Sequence, residues 1–568
     1  MDWEIKKYPC TSWQLIKGYW WSEERWVAFS MLLSVLVFTV ILVMFDVAFT
    51  VWYNYFYDAL QDYNKRAVIS LMIIFLFLAA VNIVLQVYRF YIQSYLGLRW
   101  RRWLTKQLIN IWLRDRNYYY LENFDQQTDN PDQRIQEDAN NLVQYTLSLL
   151  IGLISSVVTI VAFIYVLWTL SGTLVIPLGT LGTLHVSGYL VWVGFIYSVI
   201  GTYLAFKIGR PLVRLNFEQQ RREANFRFSA IDVRRYSEHI ALYRGEHNQK
   251  TLLQKVFSAV LDNWYAIILR QKLLLWFTGG YNQAAVLLPL AVALPNYFNK
   301  VFKLGGFMQT IKAFGQIQDA LSYLVNSYTT IAEWQAINQR LLTFLNHMNE
   351  LKTKAETHNQ FSFSVSKNND IDVKNLNILT PKGENLLANI SQKLVYGQDY
   401  VIKGRSGVGK STFVRTLAGI WPYGAGKIAL PKQKLMYLPQ TAYMPLGTLR
   451  EALLFPDRVH LSNKKLIELM ERCDLQHLTN ELDEVSRWTE RLSPGELQRI
   501  AFLRVLVQKP DWVFLDESTS SLDLPHEDQL YKLLKTELPH CSIVSVGHRP
   551  SLDAYHSHEI DMEKYSHP

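Results

Sequence analysis

Residues 1–345 are organised by six apolar stretches, each about the 20 residues that a helix needs to cross an ~30 Å hydrocarbon core. They lie near 27–52, 68–92, 143–170, 187–208, 273–294 and 306–329. Inside lipid only helices and closed barrels satisfy their own backbone polar groups. The pattern therefore predicts an all-α membrane domain of six spans over 27–345. The sixth stretch is the weakest, because polar residues interrupt it. Composition fits a chain that is part membrane and part soluble: 49% of the 568 residues are hydrophobic and 19% charged.

The loops set the orientation. Segment 97–140 carries Arg99, Arg101, Arg102, Lys106, Arg114 and Arg116, and 209–270 is equally basic, whereas "SGTLVIPLGTLGTLHVSG" (171–188) has no Lys or Arg. The basic loops are expected in the cytoplasm, and six spans return the chain there. The same bias explains the net charge of +9 without a nucleic-acid partner. The first residues, "MDWEIKKYP", are polar, so no cleavable signal peptide is expected. Segment 1–26 mixes Trp, Tyr and charge and reads as an amphipathic elbow in the interface. Cys10, Cys473 and Cys541 form no framework or metal pattern.

Both basic loops have helical patterns, so the spans should extend well beyond the membrane. "DNPDQRIQED" (129–138) is a break, since the residue before a proline disfavours helix. "IALYRGE" (240–246) sits similarly in the second loop. Each is a candidate elbow for docking a soluble domain. In the sixth stretch Gln309, Lys312, Gln316, Asp319, Tyr323 and Asn326 recur at steps of three and four, on one helix face. A charge facing lipid costs about 2.5–3.5 kcal/mol or more, so the stripe should line a water-filled cavity or another helix. Asp46 either lines the same cavity or sits near the outer interface.

A linker is expected over 346–366, followed by an α/β domain over 367–568. "YVIKGRSGVGKSTFVRTLAGI" (400–420) leads from an apolar strand through Gly404, Arg405, Ser406, Gly407, Val408, Gly409, Lys410, Ser411 and Thr412 into a helix. That is the context of a phosphate-binding loop: glycines turn backbone N–H groups inward, and the helix N-terminus adds positive charge. Lys410 should reach the β- and γ-phosphates of ATP and Ser411 should hold Mg²⁺. "DWVFLDES" (511–518) delivers Asp516 and Glu517 to a strand's C-terminal end, where α/β sheets bind ligands. Asp516 would hold Mg²⁺ through water and Glu517 would polarise the attacking water. Gln440, at another strand end, can touch both metal and water. His548, after "SIVSVG", could hold the γ-phosphate or that water as a neutral imidazole.

With these residues in place, 371–558 resembles the nucleotide-binding domain of ABC transporters. The resemblance implies a Walker A over 404–411, a Q-loop glutamine at Gln440, a Walker B ending at Asp516, a catalytic Glu517, a D-loop containing Asp523 and a switch histidine at His548. It also implies that "RLSPGELQR" (491–499) holds the signature, with Leu492, Ser493, Pro494, Gly495 and Glu496 standing where Leu-Ser-Gly-Gly-Gln is usual. Proline loses least at the first turn of a helix, and a carboxylate there suits the dipole. The expectation is a working signature. A departure is the lack of Tyr, Phe or Trp in "IDVKNLNILTPKGENLL" (371–387), where many ABC domains stack adenine; looser base selectivity is expected.

The membrane half resembles the SbmA/BacA-like permeases in the version fused to an ATPase (the YddA type), and is similar to the peroxisomal subfamily D transporters. "GLRWRRWLT" (97–105), "DNPDQRIQED", "SGYLVWVGFIYSVIGT" (187–202) and "GRPLVRLNFEQQRREANFRF" (209–228) carry this. The resemblance implies an ABC exporter-type fold in a half-transporter that works as a homodimer, in a bacterial inner membrane, importing hydrophilic or peptide-like solutes, peptide antibiotics or cobalamin-like compounds. Fatty acyl-CoA or lipid cargo is the alternative. A cytoplasmic ABC ATPase acting on DNA or translation does not fit six spans, and an inert regulatory ATPase does not fit Lys410, Glu517 and His548.

Overall fold

The computed structural model describes residues 11–124, 130–171, 173–177, 183–298, 302–457 and 459–566. Cys10 and residues 125–129 of the first loop lie outside them. The chain divides into two compact units, Met1–Glu350 and Leu351–Pro568.

The first unit opens with helix Ser12–Trp20, capped by the Thr11 side chain, which accepts from the Gln14 N–H. It buries Leu15, Tyr19 and Trp20, with Tyr19 stacked on Trp100 at 5.5 Å between ring centroids, and leaves Trp13 exposed, as are Trp21 and Trp26 just after it. Such exposed rings suit a membrane interface. Glu24 then pairs with Arg99 and Arg102 at 2.9 and 2.7 Å.

Among the described residues, five helices are long and apolar enough to cross a membrane, beginning at Arg25, Lys65, Pro131, Tyr189 and Glu246. Two of them are far longer than a span: Lys65–Leu113 has 49 residues and Glu246–Phe298 has 53. They carry much of the two basic loops as helix, as their patterns predict. The hairpin of Thr173–Pro177 and Thr183–Ser187 occupies the uncharged loop.

The sixth stretch is less apolar than these five, and its structure shows why it can be. Helix Leu304–Leu321 packs against the spans that contain Arg25–Gln61, Ala139–Ser171, Tyr189–Gly209 and Glu246–Phe298. It buries Gln309, Thr310, Ala313, Phe314, Ile317 and Gln318. A helix surrounded by protein can bury hydrogen-bonded polar groups that lipid would not accept. Its N-terminus is held by the end of the first span: Gly305 N–H donates to Asp58 at 2.8 Å, Leu304 N–H to Gln61 at 2.8 Å, and Lys303 pairs with Asp62 at 2.7 Å. Anionic and carbonyl acceptors there satisfy orphan N–H groups and favour the dipole. The helix then breaks at Ser322 and Ser327 into Tyr323–Asn326 and Tyr328–His358.

The break at "DNPDQRIQED" is present. Asn130 adopts a left-handed φ of 49°, Pro131 starts the next helix and Arg134–Asp138 forms a π turn. Asp138, 1% exposed, is paired with Arg134 and Arg340, each at 2.6 Å. Removing one partner of such a buried group costs about 3–5 kcal/mol, so this triad holds the break against the sixth helix's extension. At 240–246 the chain makes a tight turn, with Leu242 and Tyr243 strongly exposed.

The segment expected as a linker, 346–366, is largely regular structure. Helix Tyr328–His358 runs through its first part, and strand Asn359–Val365 fills most of the rest. The polarity of Asn359–Val365 suits its place as an edge strand.

Among the described residues the second unit holds two large sheets and one two-residue strand pair, Gly447–Thr448 with Val485–Ser486. A five-stranded parallel sheet runs in the order His558–Asp561, Tyr400–Lys403, Ser542–Val546, Trp512–Asp516, Leu435–Leu438. Its central strands are buried on both faces, the habit of parallel sheets covered by helices. A four-stranded sheet, Asn359–Val365, Gly424–Leu430, Ile371–Leu379 and Asn385–Leu394, packs on it through Leu376, Ile390, Phe413 and Phe514.

Candidate active site

The parallel strands end in one place. Buried Tyr400–Lys403 leads into the phosphate-binding loop, where Gly404, Gly407 and Gly409 have φ of 140°, 80° and 108°. Side chains rarely adopt these angles. Helix Lys410–Leu417 starts directly after Gly409, so its free N–H groups face the loop's hollow.

Lys410 is 5% exposed, and burial pulls its ammonium below the ordinary lysine range although Glu517 and Asp516 oppose this. It donates to the carbonyls of Gly404 and Arg405 at 2.8 and 3.0 Å, and lies 2.8 Å from His548 Nε2. An ammonium can only donate, so Nε2 is the acceptor of this contact. Ser411 Oγ donates to Asp516 at 2.9 Å. Burial raises the Asp516 carboxyl, the Ser411 bond lowers it, and the neighbouring Glu517 charge raises it further. Gln440 Nε2 donates to Glu517 at 3.2 Å. Glu517 itself sits at a φ of 47°, its N–H given to Val546 O at 3.0 Å. A left-handed glutamate at a strand end turns its carboxylate out of the sheet toward Gln440.

The signature stretch starts helix Pro494–Gln508. Ser493 is the N-cap and Pro494 lies in the first turn. Glu496 N–H donates to Ser493 Oγ at 3.3 Å, while Ser493 N–H and Oγ donate to the Glu496 carboxylate at 2.8 and 2.7 Å. This is a capping box. Burial alone would raise the Glu496 carboxyl, but the Ser493 bonds and His477, 2.6 Å away, hold it below the usual carboxylate range. Its stabilisation is therefore complete at neutral pH and is lost as pH falls through that lowered value. Leu492 is buried beneath the turn.

In the membrane unit the polar stripe divides along its length. Gln309 is buried and accepts from Asn54 at 2.6 Å, and the Tyr323 hydroxyl donates to Leu149 O at 3.0 Å. Gln316 is half-buried. Lys312, Asp319 and Asn326 form the exposed edge, with Lys312 lying 5.2 Å from the Tyr53 ring centroid. Asp46 is half-buried.

The family model for ABC transporter transmembrane region 2 matches residues 15–298, and that for ABC transporter matches 387–520. The chain belongs to the ABC transporters.

The inner membrane ABC transporter ATP-binding protein YddA of Escherichia coli is 31% identical over 96% of each chain. The lysosomal cobalamin transporter ABCD4 of Mus musculus is 25% identical over 94% of this chain and 91% of its own. The structure of a bacterial Atm1-family ABC exporter with ATP bound has a TM-score of 0.76 at 17% identity, covering 94% of this chain and 93% of its own. The exporter-type fold is thereby shown, in a multi-pass membrane half-transporter with an ABC ATPase domain.

The transporter's structure also exposes residues that sequence patterns do not reveal. Gln498, 4% exposed, donates to Ser520 Oγ at 3.1 Å and to Gln440 O at 3.4 Å, and accepts from Ser521 N–H at 2.9 Å. One buried amide thus ties the signature helix to both the D-loop and the Q-loop. A lone glutamine in a helix carries no pattern that would announce this. The D-loop Asp523 caps helix Leu524–Glu537 and accepts from His526 Nδ1 at 2.5 Å; His526 and Arg499 both reach Asp474, at 3.3 and 3.1 Å. Beside the end of strand Ile371–Leu379, the Trp421 indole donates to Leu379 O at 3.0 Å. Cys473 and Cys541 are free, and burial pushes both thiols up to about 12.

Replacing Glu496 by the usual glutamine tests how much of the cap is charge. Gln can complete a capping box, so E496Q should keep ATP turnover within a few-fold. It should lose about 0.3–1 kcal/mol of helix stabilisation, read as a lower thermal midpoint. A large rise in turnover would instead show that the carboxylate opposes phosphate at this turn.

Proposed function

We propose that two copies of this half-transporter form a homodimer that hydrolyses ATP to import hydrophilic or peptide-like solutes, cobalamin-like compounds included, across a bacterial inner membrane. The observation that carries the cargo class is the exposed edge of Lys312 and Asp319 on a largely buried helix, continued by Asn326 in the short helix after it. Two charges on that edge are too costly to face lipid and suit a watered path between the copies. Names of relatives point the same way for membrane and solute: YddA is an inner membrane protein and ABCD4 a cobalamin transporter.

The nucleotide site supports a division of roles. Ser411 and Asp516 present hard oxygen donors 2.9 Å apart, which fit Mg²⁺ with its preference for oxygen and for substrate phosphates. Bound there, Mg²⁺ would neutralise charge on the phosphates. Lys410 exchanges its loop carbonyls for phosphate oxygens, and its departure frees His548 Nε2 to turn toward the γ-phosphate. Gln440 holds Glu517, which takes a proton from the attacking water. Ser493 and the amides of its helix cap the γ-phosphate in the partner copy.

Uptake into proteoliposomes of vitamin B12, a proline-rich peptide and an acyl-CoA tests the cargo class. Asp319→Ala and Gln316→Leu should each lower uptake of the accepted solute about tenfold, a change of ~1.4 kcal/mol, with much less effect on ATP turnover. Selective acyl-CoA transport, or undiminished uptake by both variants, would overturn the polar-path reading.

A further inference from the structure

A cavity of about 860 Å³ opens at the basic end of the fourth span, and none of the stripe residues lines it. One wall is the helix face bearing Tyr203, Lys207, Arg210, Arg214 and Phe217. Their spacing of four, three, four and three keeps all five on one side of a helix. The three cations lie in the middle, spread over about 10 Å at 1.5 Å per residue, with an aromatic at each end. The facing wall is helix Tyr328–His358, which contributes Ile331, Gln335 and Gln339. No carboxylate lines either wall, and none forms an ion pair with these cations among the described residues.

The floor is built rather than incidental. Tyr328 and Ala332 are buried, and Phe206 meets Tyr328 edge-on at 4.7 Å between centroids. Gly209 lets the helices approach so closely that a Cβ there would lie 2.3 Å from the Tyr328 ring. Lysines and arginines that merely reach the interface from a span need no opposing wall. Here they face an aromatic floor and neutral amides, which give an anion hydrogen-bond donors without repulsion. The size fits a small-molecule site.

We propose that this groove binds the phosphate head of an anionic phospholipid from the leaflet at that end of the span. Lys207, Arg210 and Arg214 hold the phosphodiester, Gln335 and Gln339 donate to its remaining oxygens, and Tyr203 and Phe206 cover the first carbons of the chains. Basic pockets between transmembrane helices on the cytoplasmic side are suited to such heads.

Native mass spectrometry of the full chain, released from vesicles of mixed phosphatidylglycerol and phosphatidylcholine, tests the assignment. The wild-type chain should retain phosphatidylglycerol in preference to phosphatidylcholine. K207Q/R210Q/R214Q should lower that retention at least about tenfold. Q335E/Q339E, which alters only the facing wall, should also lower it, and R210K/R214K should keep it. Should the triple variant fail to fold, the facing-wall pair decides alone. Equal retention in wild type and in Q335E/Q339E would overturn the proposal. So would displacement of the lipid by inorganic phosphate with no preference between the two phospholipids, which would assign the cations to a soluble anion.

Discussion

Glu517→Gln should cut ATP turnover by about 10²- to 10⁴-fold, the usual contribution of a general base, while ATP binding persists. The substitution is nearly isosteric. It leaves Ser411 on Asp516 and Lys410 in its loop, since neither of their hydrogen bonds involves Glu517. It removes the carboxylate beside Gln440 that can accept a proton from water. Phosphate release measured beside binding of a fluorescent ATP analogue separates the two effects. Turnover within a few-fold of wild type would place the base elsewhere. Loss of binding as well would show that the left-handed turn at position 517, rather than its carboxylate, is what the site requires.

Ser493→Arg should lower turnover by more than about 10²-fold, the scale of losing a positioned donor to developing negative charge. ATP binding should remain, because among the described residues the Ser493 side chain bonds only within its own capping box. The loss of the cap itself costs the helix about 1 kcal/mol, a small part of the expected effect. Ser493→Thr separates the contributions: it keeps a hydroxyl and a good N-cap and should retain most turnover. Normal turnover in S493R would mean that this helix does not meet a partner's γ-phosphate.

Much of this architecture is legible in the chain itself. Apolar runs of span length, basic loops and a glycine loop between strand and helix each follow from one local requirement: a dry core, a charged membrane face, an anion near unpaired N–H groups. The structure brings together Lys410, Ser411, Gln440, Asp516, Glu517 and His548, spread over 139 residues of sequence, because parallel strands end on one edge. Pro494 and Glu496 fit a working helix start as their residue types imply.

Other features follow from packing alone. The sequence by itself determined the membrane and ATPase halves, because hydropathy, charge bias and the loop motif are properties of short segments. Only the tertiary structure decided that the weakly apolar sixth helix is surrounded by protein, and that its polar stripe divides into a tied edge and an exposed one. It alone showed the expected linker to be helix and strand. It alone placed Gln498 against two loops and set three cations opposite neutral amides. Those outcomes depend on which faces meet, and a face has no neighbour until the chain is folded.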